Sequence, residues 1–584
     1  MSIEPLITEH LDIWTAADTE KKSGRGRSSG NAGNVYGIKK LRELILELAV
    51  RGKLVPQDTS DEPASEHLQN INRELCSLIN VPSLPLLRRD KSTIDPESYH
   101  FTLPSSWLWC ELQNIAIFEN GKAHEQYVVE KEAFVLVNSS YISTNGGKIK
   151  YVSNRLSPLS KDDIAIVMSD VPSGRALVRC FLVTDSDNFT LNQRIGALKT
   201  GSTLSKQYLL MVLDRNKYYL QYDDGKKQSN LKKIQILSCP IPLPPLAEQH
   251  RIVAKVDELM ALCDQLENQH NNATEAHEKL VTHLLGTLTQ SQNAEDFNNH
   301  WQRISEHFDT LFTTEASIDA LKQTLLQLAV MGKLVPQDPN DEPASELIKH
   351  LHTDRSTWLS ENQHSNPECK SMQKKLAALP NAEAPFILPS SWAAVHLIDC
   401  CRLLVDCHNK TAPYSSSGIP IIRTSNIRER KFRLEDLKYV SEDTYQFWSR
   451  RCFPESGDIM FTREAPMGEA AIIPLGAKYC LGQRTMLIRP MHEFIFNEYL
   501  LITLTEPHLL ERSSDSAIGS TVKHLRVGAV EELNIPLPPL AEQHRIVSRV
   551  DALMAICDQL KSQIISGNQL QQKLADVVIE QAIN

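Results

Sequence analysis

Two stretches of the chain carry apolar or small residues at alternating spacings of four and three. Ile252, Val256, Leu259, Cys263, Leu266, Ala273, Leu280 and Leu284 form the first series, interrupted by His270 and His277; Ile546, Val550, Leu553, Cys557, Leu560, Ile564, Leu574 and Val578 form the second, with Gly567 as its weak point. This 3.5-residue period is a heptad seam. Each series follows the phrase PLPPLAEQHRIV, at 242–253 and again at 536–547. Prolines cannot extend a helix backwards and the residue before a proline avoids the helical region, so the first helix is predicted to begin just after Pro245, with Glu248 in its first turn. Two matching seams in one chain predict an intramolecular antiparallel coiled coil.

Shorter apolar runs bounded by turn residues predict strands. In the first half these are 133–142, 162–169 and 175–184; in the second they are 419–427, 457–463, 470–475 and 485–490, with a helix over 496–504. The pattern implies two mixed α/β globular domains separated by the long helices.

The chain also repeats itself. LAVRGKLVPQDTSDEPASE (48–66) returns at 328–346 with 16 of 19 residues identical, FTLPSSW (101–107) returns as FILPSSW (386–392), and 241–267 returns at 535–561 with 22 of 27 identical. The intervening stretches, 108–240 and 393–534, share only traces such as NQRIGAL (192–198) against GQRTMLI (482–488). Similar frames around dissimilar inserts imply that the frames share a task and the inserts differ in theirs. The C-terminal copy stops where the central one runs on into a helical block, and the missing continuation lies at the N-terminus (36–58). The two ends are therefore expected close together, giving a circular, pseudo-two-fold arrangement.

At 584 residues the chain exceeds the roughly 250–300 that one core supports. No apolar run approaches the ~20 residues of a membrane span and the first twenty residues lack signal-peptide order, so a cytoplasmic protein without membrane association is expected. Twelve cysteines include no CxxC pair, and Cys400, Cys401, Cys407 and His408 have poor ligand spacing, so no metal site is expected. The net charge of −10 argues against a nucleic-acid binder when taken whole, but Phe134–Lys233 holds 15 Lys and Arg against 8 Asp and no Glu. Charge is segregated: that window carries +7 and the remainder of the chain about −17, and in the second insert Arg423, Arg428, Arg430, Lys431 and Arg433 cluster within eleven residues.

Lys and Arg neutralise phosphates, and Arg, Asn and Gln read base edges. The candidates in the first insert are Lys148, Lys150, Arg155, Arg175, Arg179, Gln193, Arg194, Lys226, Lys227 and Lys232. Those in the second are Arg423, Asn426, Arg428, Arg430, Lys431, Arg433, Arg463, Gln483, Arg484 and Lys523. No GxxxxGK[ST], GxGxxG after a strand, HExxH or [DN]PP[YF] is present, so no catalytic residue is assigned. Taken alone, the residues describe a bipartite binding scaffold. A self-contained DNA methyltransferase or nuclease, and a stand-alone regulator of a split operator, are the alternatives.

PLPPLAEQHRIV with heptads, twice, and LAVxGKLVPQD before a second divergent insert, resemble the specificity subunit of type I restriction–modification systems, over nearly the full length. The block near residue 50 is most similar to the type IB branch. The resemblance implies target-recognition domains at 101–239 and 386–534, each reading half of an asymmetric DNA site. It implies frame regions at 36–100, 240–385 and 535–584, whose helices set the unread spacer. It implies docking of two modification subunits, which use S-adenosylmethionine, and two restriction subunits, which use ATP and Mg²⁺, with no cofactor on this chain itself. About 39 residues of helix at ~1.5 Å each span roughly 58 Å, or about 17 base pairs. Residues 1–35, with the basic Gly/Ser-rich stretch 24–33, depart from the family pattern and are expected to form a flexible arm.

Overall fold

The computed structural model describes residues 7, 9–16, 35–84, 101–130, 134–170, 176–184, 188–223, 228–291, 294–408, 410–509, 517–518 and 524–583. Two compact units emerge, Met1–Ala273 with Asn568–Asn584, and Thr274–Gly567.

In the first unit a bracing helix, Tyr36–Val50, shares one core with the first long helix, Leu246–Gln290, and the end of the second, Leu540–Ile583. Ile38, Leu41, Leu44, Ile45 and Leu48 of the brace meet Ile252, Val256, Leu259 and Cys263 there, joined by Ala575, Val578 and Ile579. The polar contacts fix direction. Tyr36 donates to Asp576 at 2.9 Å, Arg42 reaches Asp264 and Glu267 at 2.7 Å, Gln57 reaches Glu248 at 2.6 Å, and Lys53 donates to the Ile583 carbonyl at 2.7 Å. Numbers rising along the N-terminal segment match falling numbers on the first long helix and rising ones on the second, so these segments of the long helices run antiparallel.

The second unit repeats the plan with the brace Glu315–Val330. Lys561 binds Asp319 at 2.8 Å, Lys322 binds Asp558, Gln337 donates to Glu542 at 2.6 Å, and Lys333 donates to the Thr289 and Ser291 carbonyls at 2.7 Å. Ile546, Val550 and Cys557 are buried there with Ile318, Leu321, Leu325, Val281 and Leu285, and Leu553 and Leu560 pack at the margin. The N- and C-terminal segments thus meet inside the first unit as the counterpart of the central block. One expectation changes: the seams are covered by a third helix in each unit. A two-stranded seam leaves its flanks open to water, whereas Ile252, Cys263, Ile546 and Val550 are fully buried.

The buried stripe also slips by one position midway along each long helix. Leu280 is 49% exposed and its neighbour Val281 is buried; Leu574 is 43% exposed and Ala575 is buried. A helix repeats every 3.6 residues, so a strict 3.5 repeat drifts across its face by about 20° per heptad, and contact passes to the adjacent residue.

The inserts differ in sequence but share the topology of their main antiparallel sheet. The larger sheet of the first runs Ile117–Asn120, Ile195–Lys199, Ile164–Val167, Cys180–Leu182 in space; that of the second runs Cys401–Asp406, Thr485–Pro490, Ile459–Arg463, Met467–Ile472. Every neighbouring pair in both is antiparallel. Beside each lies a smaller sheet containing one parallel pair, Phe134–Val137 with Phe189–Leu191 and Ile419–Ile422 with Cys480–Leu481. A two-stranded ribbon closes each insert, Leu108–Glu111 on Pro240–Leu243 and Ala393–His396 on Asn534–Leu537. Prolines are tolerated in these outgoing strands because each has a single partner and needs no ladder bond on its other edge.

The N-terminal arm is not wholly flexible: Leu11–Ala16 is helical and Trp14 is fully buried in the first unit's core. Its indole is apolar surface that gains about 2–3 kcal/mol by leaving water, which anchors the helix on that core. Residues 17–34, including the basic stretch 24–33, lie outside the described residues.

Candidate nucleic-acid interface

In each insert the parallel strand of the smaller sheet passes through a three-residue turn into a central strand of the larger one. The turns are Asn192–Gln193–Arg194 and Gly482–Gln483–Arg484. They are anchored by the same backbone atoms: the Arg194 carbonyl accepts from Met168 N at 3.0 Å, and the Arg484 carbonyl accepts from Arg463 N at 3.0 Å. Close approach of two backbones requires glycine at each site. A Cβ on Gly482 would stand 2.2 Å from the Ile422 carbonyl oxygen, and one on Gly121 would stand 2.0 Å from that of Asn192.

Beside the second turn lies a cleft of about 290 Å³ lined by Thr411, Tyr414, Arg423, Ser425, Gln483 and Arg484. The Thr411 hydroxyl donates to Gln483 Oε1 at 3.2 Å, and Glu464 engages Arg484 Nε at 3.2 Å. Tyr414 is nearly half exposed. Next to it, His408 stacks on Trp448 with centroids 4.5 Å apart, and the Arg450 guanidinium lies 4.0 Å from the Phe447 ring. Cations interleaved with exposed aromatic faces suit a polyanion whose bases also stack. Thr411, Tyr414 and this stack escaped the sequence reading, which weighted basic residues; the polar, aromatic run before the strand at 419 was the available signal.

The structure gathers Arg423, Gln483 and Arg484 into this cleft and keeps Lys431 exposed on the hairpin 427–432 and Arg433 exposed just after it. Lys148 and Lys150 are exposed on a loop, Gln193 and Arg194 are exposed at the turn, and Lys232 is exposed at a helix N-terminus, where its N–H donates to Gln235 at 2.8 Å. Gln193 Nε2 donates to Glu125 at 3.0 Å. Arg175, Lys226, Lys227 and Lys523 lie outside the described residues.

Several candidates are spent on the fold, and Arg423, although it lines the cleft, is partly so. Asn426, expected as a base reader, is 2% exposed; its Oδ1 accepts from Arg423 N and its Nδ2 donates to the Arg433 carbonyl. A short amide that satisfies a tight turn's backbone has no capacity left for a base. Arg155 donates to the carbonyls of Phe189 and Leu159 at 3.0 and 2.6 Å, Arg428 to that of Thr424 at 2.6 Å, and Arg423 Nη2 to that of Asp436 at 2.8 Å. Arg179 pairs with Asp214 at 3.2 Å, and Arg463 with Asp406 at 2.9 Å and the Leu525 carbonyl at 3.0 Å. Arg430, at the hairpin tip, is half buried; burial lowers its pKa, and Asp551 and Asp558 of the second long helix oppose that shift.

The cysteines named above are buried apolar packing: Cys401 Sγ donates to the Leu397 carbonyl at 3.0 Å and Cys407 Sγ accepts from Arg484 N at 3.1 Å. Among the described residues no group of three or more His, Cys, Asp or Glu is placed to hold a metal ion, and no helix is long and apolar enough to cross a membrane.

A sequence profile of the type I restriction modification DNA specificity domain matches residues 111–276 and 389–567. The chain is 36% identical over 613 aligned positions to the type I restriction enzyme EcoAI specificity subunit of Escherichia coli, and 34% identical over 621 positions to the EcoEI specificity subunit of the same species. Both alignments cover 100% of each chain. Among solved structures, the HsdS subunit from Thermoanaerobacter tengcongensis aligns over 83% of this chain and 98% of that one, at 17% identity and a TM-score of 0.40.

Proposed function

The chain belongs to the specificity subunits of type I restriction–modification systems, and from that membership we propose that residues 101–239 and 386–534 are target-recognition domains, each reading one half of an asymmetric, bipartite DNA site. One observation carries the reading: two inserts of unlike sequence are built on a main sheet of one topology and present a Gln–Arg turn at the same place in it. Recognition of two different half-sites by one architecture calls for a common scaffold with variable lining, because base edges are read by side chains while the duplex form is constant. The long helices set the unread spacer. The frame regions 36–100, 240–385 and 535–584 dock two modification and two restriction subunits. Chemistry resides in those cytoplasmic partners, which use S-adenosylmethionine, ATP and Mg²⁺; this chain carries no catalytic residue.

The test is co-expression with the neighbouring modification subunit, followed by genome-wide mapping of methylated sites. A single bipartite motif is the expected result, and exchanging residues 108–239 for those of a relative should alter one half of it only. Methylation or cleavage by the purified chain alone would overturn the reading in favour of a self-contained enzyme, and tight specific binding by the lone chain would favour a regulator.

A further inference from the structure

We infer that the Gln–Arg turn of each insert is a grip on the DNA backbone that takes no part in base selection, and that the side chains around it which differ between inserts select the bases. This rests on the reading of the inserts as DNA readers. Two domains built for different half-sites meet one feature in common, the phosphodiester backbone. A side chain held at the same turn by the same backbone atoms, in inserts that otherwise diverge, suits that common feature. An arginine reading a base in both places would oblige both half-sites to carry guanine at the matching position, since the Arg fork pairs with the O6 and N7 of guanine.

The geometry divides the labour within the turn. Each glutamine amide is engaged with the flanking loop, Gln193 with Glu125 at 3.0 Å and Gln483 with Thr411 at 3.2 Å, which ties the turn down. Each arginine is exposed. Arg484 holds φ at +69°, a left-handed conformation that glycine adopts at no cost and an arginine adopts with strain. Arg194 carries no such strain, so this cost is borne in the second turn alone. A guanidinium on a rigid turn matches a phosphate's paired oxygens. The surroundings differ: Thr411, Tyr414 and Arg423 flank the second turn, whereas Glu125 flanks the first.

The experiment uses the full chain assembled with its modification subunit. Binding is measured on two synthetic duplexes, one carrying the motif mapped for the unmodified complex and one with both half-sites scrambled, across a salt series. Arg484→Ala and Arg194→Ala should each weaken binding to both duplexes by the same factor. Each should reduce the slope of log K against log salt by about 0.9, the value for one phosphate contact. Arg484→Lys should keep the slope, and the mapped motif should be unchanged in all three variants. A loss confined to the motif duplex, a base change in one half-site, or an unaltered salt slope would each overturn the inference while leaving the inserts as DNA readers. If instead the unmodified complex binds both duplexes equally and marks no motif, it is the underlying reading that fails.

Discussion

Trp107 donates its indole N–H to the Glu248 carboxylate at 2.9 Å, joining the FTLPSSW phrase to the PLPPLAEQ phrase across 141 positions. Trp392 does the same to Glu542 at 3.0 Å. Each glutamate is buried and takes a second bond from Gln57 or Gln337, whose own amide oxygen accepts from Ser106 or Ser391. Three repeated phrases thus converge on one carboxylate in each unit, a physical reason for their near-identity. Burial raises the pKa of both glutamates, and the tryptophan and glutamine bonds oppose that shift.

Trp392→Phe should therefore be costly although it preserves most of the apolar ring. It strips a buried carboxylate of one donor, worth about 1.5–3 kcal/mol for a charged acceptor. Trp107→Phe should cost a similar amount. Urea titrations followed by circular dichroism measure both, and a loss under about 0.5 kcal/mol would show that the bond contributes little.

Glu74 ties the frame helix Ala64–Leu78 to the first insert, accepting bonds from the N–H and hydroxyl groups of Ser202 and Thr203. Burial pushes its pKa up, but the Thr203 and Ser202 bonds outweigh it and hold the carboxyl at about 2. A folded pKa below the unfolded value near 4.3 means that the stabilisation is present above pH ~4.3 and is lost as pH falls towards 2. After allowance for solvent screening it amounts to about 1–2 kcal/mol. Glu74→Gln should be destabilised at pH 7 and lose less stability than the parent between pH 4.5 and 2.5. Parallel acid profiles for the two proteins would contradict the assignment.

The slip in the buried stripe yields a paired test. Leu285→Ala removes a buried side chain from the second unit's core and should cost about 2–5 kcal/mol, whereas Leu280→Ala, at a position the heptad assigns to the seam, should stay within about 0.5 kcal/mol. Denaturation midpoints decide it; equal costs would restore the strict heptad.

What the sequence disclosed follows the range of the forces involved. The long helices were legible because proline punctuation and periodic burial are local; their third partner was not, because it depends on contacts some 200 positions away, such as Arg42 with Asp264. The strand expected at 485–490 matches end to end and that at 470–475 begins three residues early, but most of the others are shorter than the run that predicts them. The run 133–142 is a strand only over Phe134–Val137, since Asn138 caps the helix that follows by accepting from Tyr141 N. The equivalence of the inserts survives in the sequence only as short traces, such as the Tyr-Leu-Leu of Tyr208 and Tyr499, whose hydroxyls make the same bond to a proline carbonyl, of Pro242 and Pro536. Basic residues marked the site only in outline. Half-exposed cations such as Arg155 and Arg428 satisfy loop carbonyls, a role that composition cannot separate from phosphate binding.

Lengthening the long helices should alter the spacer and nothing else. The buried stripe is thinnest around His270 and Gly567, and a Cβ on Gly567 would meet nothing within 4 Å, so extra residues there disturb no core. Four residues inserted after Asn268 and four after Gly567 extend each helix by about 6 Å, one turn, keeping each seam near its original face. On a duplex rising ~3.4 Å per base pair that distance is one or two base pairs. The methylation map of the lengthened protein, assembled with its modification subunit, should show both half-sites unchanged and the gap between them longer by that amount. An insertion in one helix alone should fare worse, because its antiparallel neighbour would keep the old length. A lengthened protein that marks the original spacer would show that the helices do not measure it, and altered half-site bases would show that frame and readers are not separable.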